Sequence, residues 1–187
     1  MTVENREPQK TQYVAFLRGI NVGGKTLVPM ARLKKIFETL GFTEVRTLLI
    51  SGNVIFQSRE TDAATLDHKI AEAIEKAFKR RFDVITWPMA DLEKLRIRNP
   101  FKGIKVTSET RLYVTFLSEN PASCRVSTLA SADFKILSVK DRVVCSVLRL
   151  SPGLGTTEVM RALEQQFGKH ITTRNWNTVL KVLLAAT

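Results

Sequence analysis

The chain is short of the residues that build disulfide frameworks and metal cages. Among 187 residues there are two cysteines, Cys124 and Cys145, and two histidines, His68 and His170. The cysteines form no Cys-x-x-Cys pair, and the histidines stand far apart with no ligand spacing. A zinc site is therefore not expected. Both thiols are read as buried and reduced, which places the chain in a cytoplasmic setting. No apolar run approaches the roughly 20 residues that span a bilayer, so no membrane partner is expected. The opening stretch MTVENREPQKTQ has no apolar core. Residues 1–11 are expected to be a disordered tail rather than a signal peptide.

What is present is an ordinary globular balance, 44% hydrophobic and 25% charged. That is enough apolar material to bury a core unaided by disulfides or metals. The net charge is +11, and it is spread along the chain. Residues 1–90 carry 14 basic and 10 acidic groups; residues 91–187 carry 15 and 8. Such a charge attracts anionic partners at long range. It does not choose among nucleic acid, nucleotide and metabolite. A solvated basic surface without a specific partner accounts for it too.

The first half has a clear element order. Tyr13–Arg18 reads as a strand, and a glycine-rich loop follows. Pro29 opens a helix with Met30, Leu33, Phe37 and Leu40 on one face, closed by Gly41. Val45–Ile50 and Val54–Gln57 read as strands joined by Ser51-Gly52-Asn53. Asp62 is the expected N-cap of a helix burying Leu66, Ile70, Ala73, Ile74 and Ala77. Asp83–Trp87 reads as a last strand, stopped by Pro88. The order is βαββαβ, the ferredoxin-like unit.

A short helix near Met89–Ile97 and the segment to residue 109 read as a linker. The pattern then restarts. Tyr113-Val-Thr-Phe-Leu117 echoes Tyr13-Val-Ala-Phe-Leu17. A short helix near Ala122–Ala130, strands near Phe134–Val139 and Val143–Arg149, and a helix from Thr157 to Phe167 follow. Ile171–Thr172 reads as a vestigial strand. A C-terminal helix carries Trp176, Val179, Leu180, Leu183 and Leu184 at helical spacing. The fold class expected is α+β: two tandem ferredoxin-like units with antiparallel sheets, related by internal duplication, plus a C-terminal helix. Their bounds are 12–88 and 110–187, joined by 89–109.

Loop chemistry separates the halves. After its first strand the first half has GINVGGKT, and the second has SENPAS. Gly19 to Thr26 matches the phosphate-binding pattern G-x-x-x-x-G-K-[ST]. A true P-loop sets its Lys and Thr in the first turn of the helix. Here Leu27, Val28 and Pro29 intervene, and no later strand ends in a magnesium-binding Asp. The P-loop reading is set aside. A weaker one survives: Gly19, Gly23 and Gly24, with Arg18, Asn21 and Lys25, can turn backbone N–H groups toward one anion. Alternatively, the glycines serve only turn dihedrals.

In a βαββαβ sheet, strands one and three are antiparallel neighbours. Arg18–Gly24 should therefore lie beside Ser51, Gly52 and Asn53, two polar loops at one sheet edge. A plain hairpin turn is the rival account of Ser51–Asn53.

With LRGINVGG (Leu17–Gly24), SGNVIF (Ser51–Phe56) and TTRNWNTVLKV (Thr172–Val182) in view, the chain resembles domain-of-unknown-function family 1697, from about Tyr13 to its end. The resemblance implies two related α+β halves and no assigned activity. The family's Gly-x-Gly-basic-Ser stretch is represented by Gly153-Leu154-Gly155-Thr156-Thr157, without its basic residue. The third motif adds Arg174, Asn175 and Asn177 at the start of the last helix, with Thr173 as the expected cap.

Three functions follow as expectations. The first is binding of a small phosphate- or nucleotide-like anion, with Arg18 and Lys25 neutralising charge and Ser51, Asn53 and Arg174 orienting the ligand. No nucleophile or general-base constellation marks a reaction, and no cofactor is expected. The second is binding of RNA or single-stranded nucleic acid through the basic surface. Against it, the third strand offers only Phe56 as an aromatic, and Tyr13 and Phe16 fall on opposite faces. The third is an interaction role without catalysis.

Overall fold

The computed structural model describes residues 9–21, 28–121 and 132–186. The chain divides into two compact units, Met1–Ala90 and Asp91–Thr187.

The first unit runs β1 (Thr11–Leu17), α1 (Met30–Thr39), β2 (Thr43–Leu48), β3 (Asn53–Ser58), α2 (Ala63–Phe78) and β4 (Val84–Pro88). Its four strands form one antiparallel sheet in the order β2-β3-β1-β4. Tyr13, Ala15 and Leu17 share a face with Val54 and Phe56. That face packs under Leu33 and Phe37 of α1 and Leu66, Ile70 and Ile74 of α2. Phe56 is central, with Tyr13, Phe37 and Phe42 around its ring at centroid distances of 5.8, 5.3 and 4.5 Å. Each such side chain contributes about 1.5–3 kcal/mol through removal from water. The alternate residues Val14, Phe16, Ile55, Ile85 and Trp87 are buried as well. With both faces closed to water, β1 reads as a continuous apolar run rather than an alternation.

The second unit follows α3 (Met89–Arg98) with β5 (Thr110–Leu117), β6 (Phe134–Lys140), β7 (Val143–Arg149), α4 (Thr156–Phe167), β8 (Ile171–Asn175) and α5 (Trp176–Ala186). Its antiparallel sheet has the order β6-β7-β5-β8. Val159 and Leu163 of α4 pack on Tyr113, Leu117, Val144 and Leu148. The protein is thus mixed α+β, with two four-stranded antiparallel sheets and five helices among the described residues. No described helix is long and apolar enough to cross a membrane.

Local chemistry explains the starts of α1 and α2. Asp62 caps α2, its Oδ2 accepting from the Thr65 N–H at 2.8 Å and hydroxyl at 2.6 Å. Pro29 precedes the first helical residue of α1 at φ −63° and ψ 127°.

Three expectations are corrected. Leu49 and Ile50 do not extend β2: the strand ends at Leu48, and Leu49 turns into the left-handed region at φ +59°. The apolar run Leu48-Leu49-Ile50 conceals that turn. The vestigial strand Ile171–Thr172 is a full strand to Asn175, since antiparallel pairing with β5 reaches Tyr113↔Asn175. Thr173 therefore lies inside β8 rather than capping α5, and the Asn175 Oδ1 accepts from the Asn177 N–H at 3.0 Å instead. The helix expected near Ala122–Ala130 lies outside the described residues.

Candidate functional site

The strand order lines up four chain segments on one rim of the first sheet: the end of β2, the start of β3, the end of β1 and the start of β4. Two backbone bonds stitch the last three together. The Leu17 N–H donates to the Gly52 carbonyl at 2.9 Å, and the Arg18 N–H donates to the Asp83 carbonyl at 2.9 Å. Arg18 and Gly19 thus lie beside Ser51, Gly52 and Asn53, the juxtaposition expected from sequence. Gly23, Gly24 and Lys25 lie outside the described residues.

Gly52 is required here twice over. Its φ is +74°, and a Cβ would stand 2.3 Å from Ile20 Cγ2 and 3.0 Å from Leu17 Cβ. Ile20 is itself buried in the core. The glycine therefore lets the β2–β3 turn close onto the end of β1.

Two asparagines hold the loops. Asn21 donates from Nδ2 to the Ile50 carbonyl (2.9 Å) and the Val28 carbonyl (3.2 Å). Its Oδ1 accepts from the Val28 N–H at 2.6 Å. One amide thus fastens residues 21 and 28 to each other and to the β2–β3 turn. Asn53 is fully buried and donates from Nδ2 to the Leu48 carbonyl (2.9 Å) and Ser51 Oγ (3.1 Å). Both were candidate ligand groups in the sequence; in the fold both amides are engaged in shaping the rim.

Charge is concentrated at the β4 end. Arg18 is half-buried, its guanidinium 3.8 Å from the Asp83 carboxylate. Lys79, Arg80 and Arg81, all exposed, lead from α2 into β4. The Arg80 guanidinium lies over the Phe82 ring at 4.9 Å. Arg32 donates to the Ala77 carbonyl at 2.8 Å and covers Phe78 at 4.7 Å. The run Lys79-Arg80-Arg81 is visible in the sequence, but only the sheet order sets it beside Arg18. The β2 end is apolar instead: Leu49 and Ile50 are 45% and 69% exposed.

The remaining candidates belong to the second unit. Arg174, on β8, donates from Nη1 to Thr172 Oγ1 (2.8 Å) and the Thr173 carbonyl (2.9 Å). Burial pushes its guanidinium down to about 10, so it stays cationic at neutral pH. Asn175 and Asn177 serve the β8–α5 junction.

A groove of about 380 Å³ opens at the opposite rim of the first sheet, among Lys10, Gly41, Arg59, Glu60 and Lys69. Lys69 there donates to the Leu40 carbonyl at 3.4 Å, at the end of α1, and stands 5.6 Å over Phe42. These contacts complete a helix end. The groups that could hold a metal form no cluster of three among the described residues.

The P-loop reading meets the fold directly. The sheet is antiparallel, and α1 begins at Met30, beyond Leu27–Pro29. The first turn of α1 therefore starts at Met30, and the lysine and threonine of the motif lie outside the described residues.

Fold and rim together define a two-sheet α+β protein with a cation-flanked sheet edge that closes over Gly52. A solved structure of a conserved bacterial protein from Streptococcus pneumoniae is similar, at 24% sequence identity and a TM-score of 0.71, covering 95% of this chain and 99% of that one. That likeness concerns the fold. The chain belongs to the family described as protein of unknown function (DUF1697), whose profile matches residues 10–144. No curated protein matches it.

Proposed function

We propose that the protein binds a small anionic ligand, phosphate- or nucleotide-like, at the rim where β1 ends. The observation that carries this reading is the backbone stitch of Leu17 to Gly52 and of Arg18 to Asp83. It gathers Arg18, Gly19 and Ser51 beside the run Lys79–Arg81. Arg18 and Lys25 neutralise the anion, amides of the glycine-rich turn cradle it, and the Ser51 hydroxyl orients it. The two units are read as tandem ferredoxin-like folds from an internal duplication. They repeat one strand order, and the echo Tyr-Val-x-Phe-Leu falls in β1 and β5. Only the first copy carries the glycine-rich loop.

Strand recognition of RNA is the weaker reading. It needs aromatic rings on an open sheet face, and Tyr13, Phe16 and Phe56 are all buried.

Thermal unfolding in phosphate, pyrophosphate and nucleotides, at matched ionic strength, tests the proposal. At ten times Kd a ligand adds about 1.4 kcal/mol, which raises Tm by about 3–6 °C for a chain of this length. Arg18→Ala should abolish the rise. An unchanged Tm with every anion, or an equal rise in the variant, overturns the proposal.

A further inference from the structure

We infer that the occupant of this rim is a mononucleotide, with its base against Leu49 and Ile50 and its phosphates at Arg18, Arg80 and Arg81. The inference rests on the anion-binding reading of the same rim and adds its chemical class and orientation. Strand order sets the scale. From β2 to β4 there are three strand spacings, so the apolar turn and the cationic loop stand about 14 Å apart. Ser51 and Gly19 lie between them. An inorganic anion satisfies only one end of such a strip.

The apolar end is built, not incidental. Single exposed hydrophobes are ordinary on any surface. Here two are adjacent, and Leu49 occupies the left-handed region at φ +59°. A residue with a Cβ adopts that region only at an energetic cost. The Asn21 amide holds the Ile50 carbonyl at 2.9 Å, so the tip is fixed to the base of the glycine-rich loop. A leucine and an isoleucine side by side in water, on a turn anchored through the Ile50 carbonyl, suit a flat, weakly polar ring. At the other end, residues 79–83 carry three cations against one carboxylate, Asp83. Guanidinium forks match phosphate oxygens in pairs. The Arg80 guanidinium already rests over the Phe82 ring, a contact that lowers the ordering cost of binding.

The test is calorimetric titration of the full chain with ATP and with inorganic tripolyphosphate at matched ionic strength. The two carry the same run of phosphates and differ in nucleoside. ATP should bind about tenfold tighter, the gain expected from covering one apolar contact. Ile50→Ser and Leu49→Gly should remove that gain while leaving tripolyphosphate affinity within about twofold. The glycine suits the turn, so the second variant remains folded. Arg81→Ala should weaken both ligands alike. Equal affinity for ATP and tripolyphosphate overturns the inference and leaves the anion reading standing. Binding of neither removes both. A single-stranded oligonucleotide that binds about a hundredfold tighter than ATP, with a steep salt slope, assigns the rim to a nucleic-acid strand and overturns the inference as well.

Discussion

At the scale of single residues, the first unit's rim depends on groups whose work is geometric. Gly52→Ala combines a strained left-handed dihedral with overlap against Ile20 Cγ2, whose neighbours are core. The left-handed cost and the overpacking cost add to about 2–5 kcal/mol. Urea unfolding should show a lower midpoint with an unchanged slope; a loss under 1 kcal/mol, on the scale of ordinary surface changes, would mean that the turn relaxes away from β1. Asn53→Ala leaves the Leu48 carbonyl without its amide donor inside the sheet. The expected loss is about 1–3 kcal/mol, read by the same titration. The role of Asn53 as a turn former was legible in Ser-Gly-Asn. Its burial was not, because a polar residue between two strands ordinarily marks a solvent-facing turn. Asn21 was legible only as a possible ligand group, since its partners at positions 28 and 50 are remote in sequence.

At the scale of elements, helix ends give the sharpest expectations. Lys79 ends α2 in the left-handed conformation at φ +55°, its N–H donating to the Glu75 carbonyl. Glycine takes that position without the Cβ penalty. Lys79→Gly should therefore stabilise the protein by about 1 kcal/mol, seen as a higher Tm; a fall in Tm would show that the lysine side chain holds more than its backbone does. The other end of α2 titrates. The Thr65 hydroxyl, and then its N–H, hold the Asp62 carboxyl below the usual range. A carboxyl depressed in the folded state stabilises above its unfolded pKa of about 4, and that contribution is lost as pH falls through the folded value. Asp62→Asn keeps an acceptor oxygen without the titration. Its stability should vary less with pH below about 4 than that of the parent chain, and parallel acid limbs would contradict the capping role.

Element order was readable wherever apolar spacing and punctuation agreed, as in α1 between Pro29 and Gly41. It failed where long-range pairing decides. Thr43 and Glu44 belong to β2 through an irregular register against β3, with Glu44 at φ +50°. No local pattern announces such a bulge. β8 is polar along Thr172–Asn175 and is a strand because β5 offers it partners. The rim's cationic end was visible as Lys-Arg-Arg, and only the topology sets it beside Arg18.

For the molecule as a whole, the alternate residues of the central strands are buried on both sheet faces, so little at a strand's centre meets solvent in the folded chain. Cys145 reports this for the second unit. It sits in β7 opposite Val114 and Ser138 and is about 1% exposed. Burial pushes its thiol up, against the opposing hydrogen bond from Ser138. Burial outweighs that bond, which keeps the nucleophilic thiolate scarce in the folded state. In a Cys124→Ser background, the remaining thiol should react with an aromatic disulfide reagent at least about a thousandfold more slowly than a small thiol does. The rate should climb with denaturant in step with the unfolded fraction, because reaction passes through the open state. The raised thiol pKa fixes the sign of the pH effect as well. The folded state favours the protonated form, so its stability falls as pH rises above the unfolded thiol's value of about 8.5. Rapid modification of the folded chain, flat across denaturant, would mean that β7 opens locally and that the sheet's second face is not a sealed core.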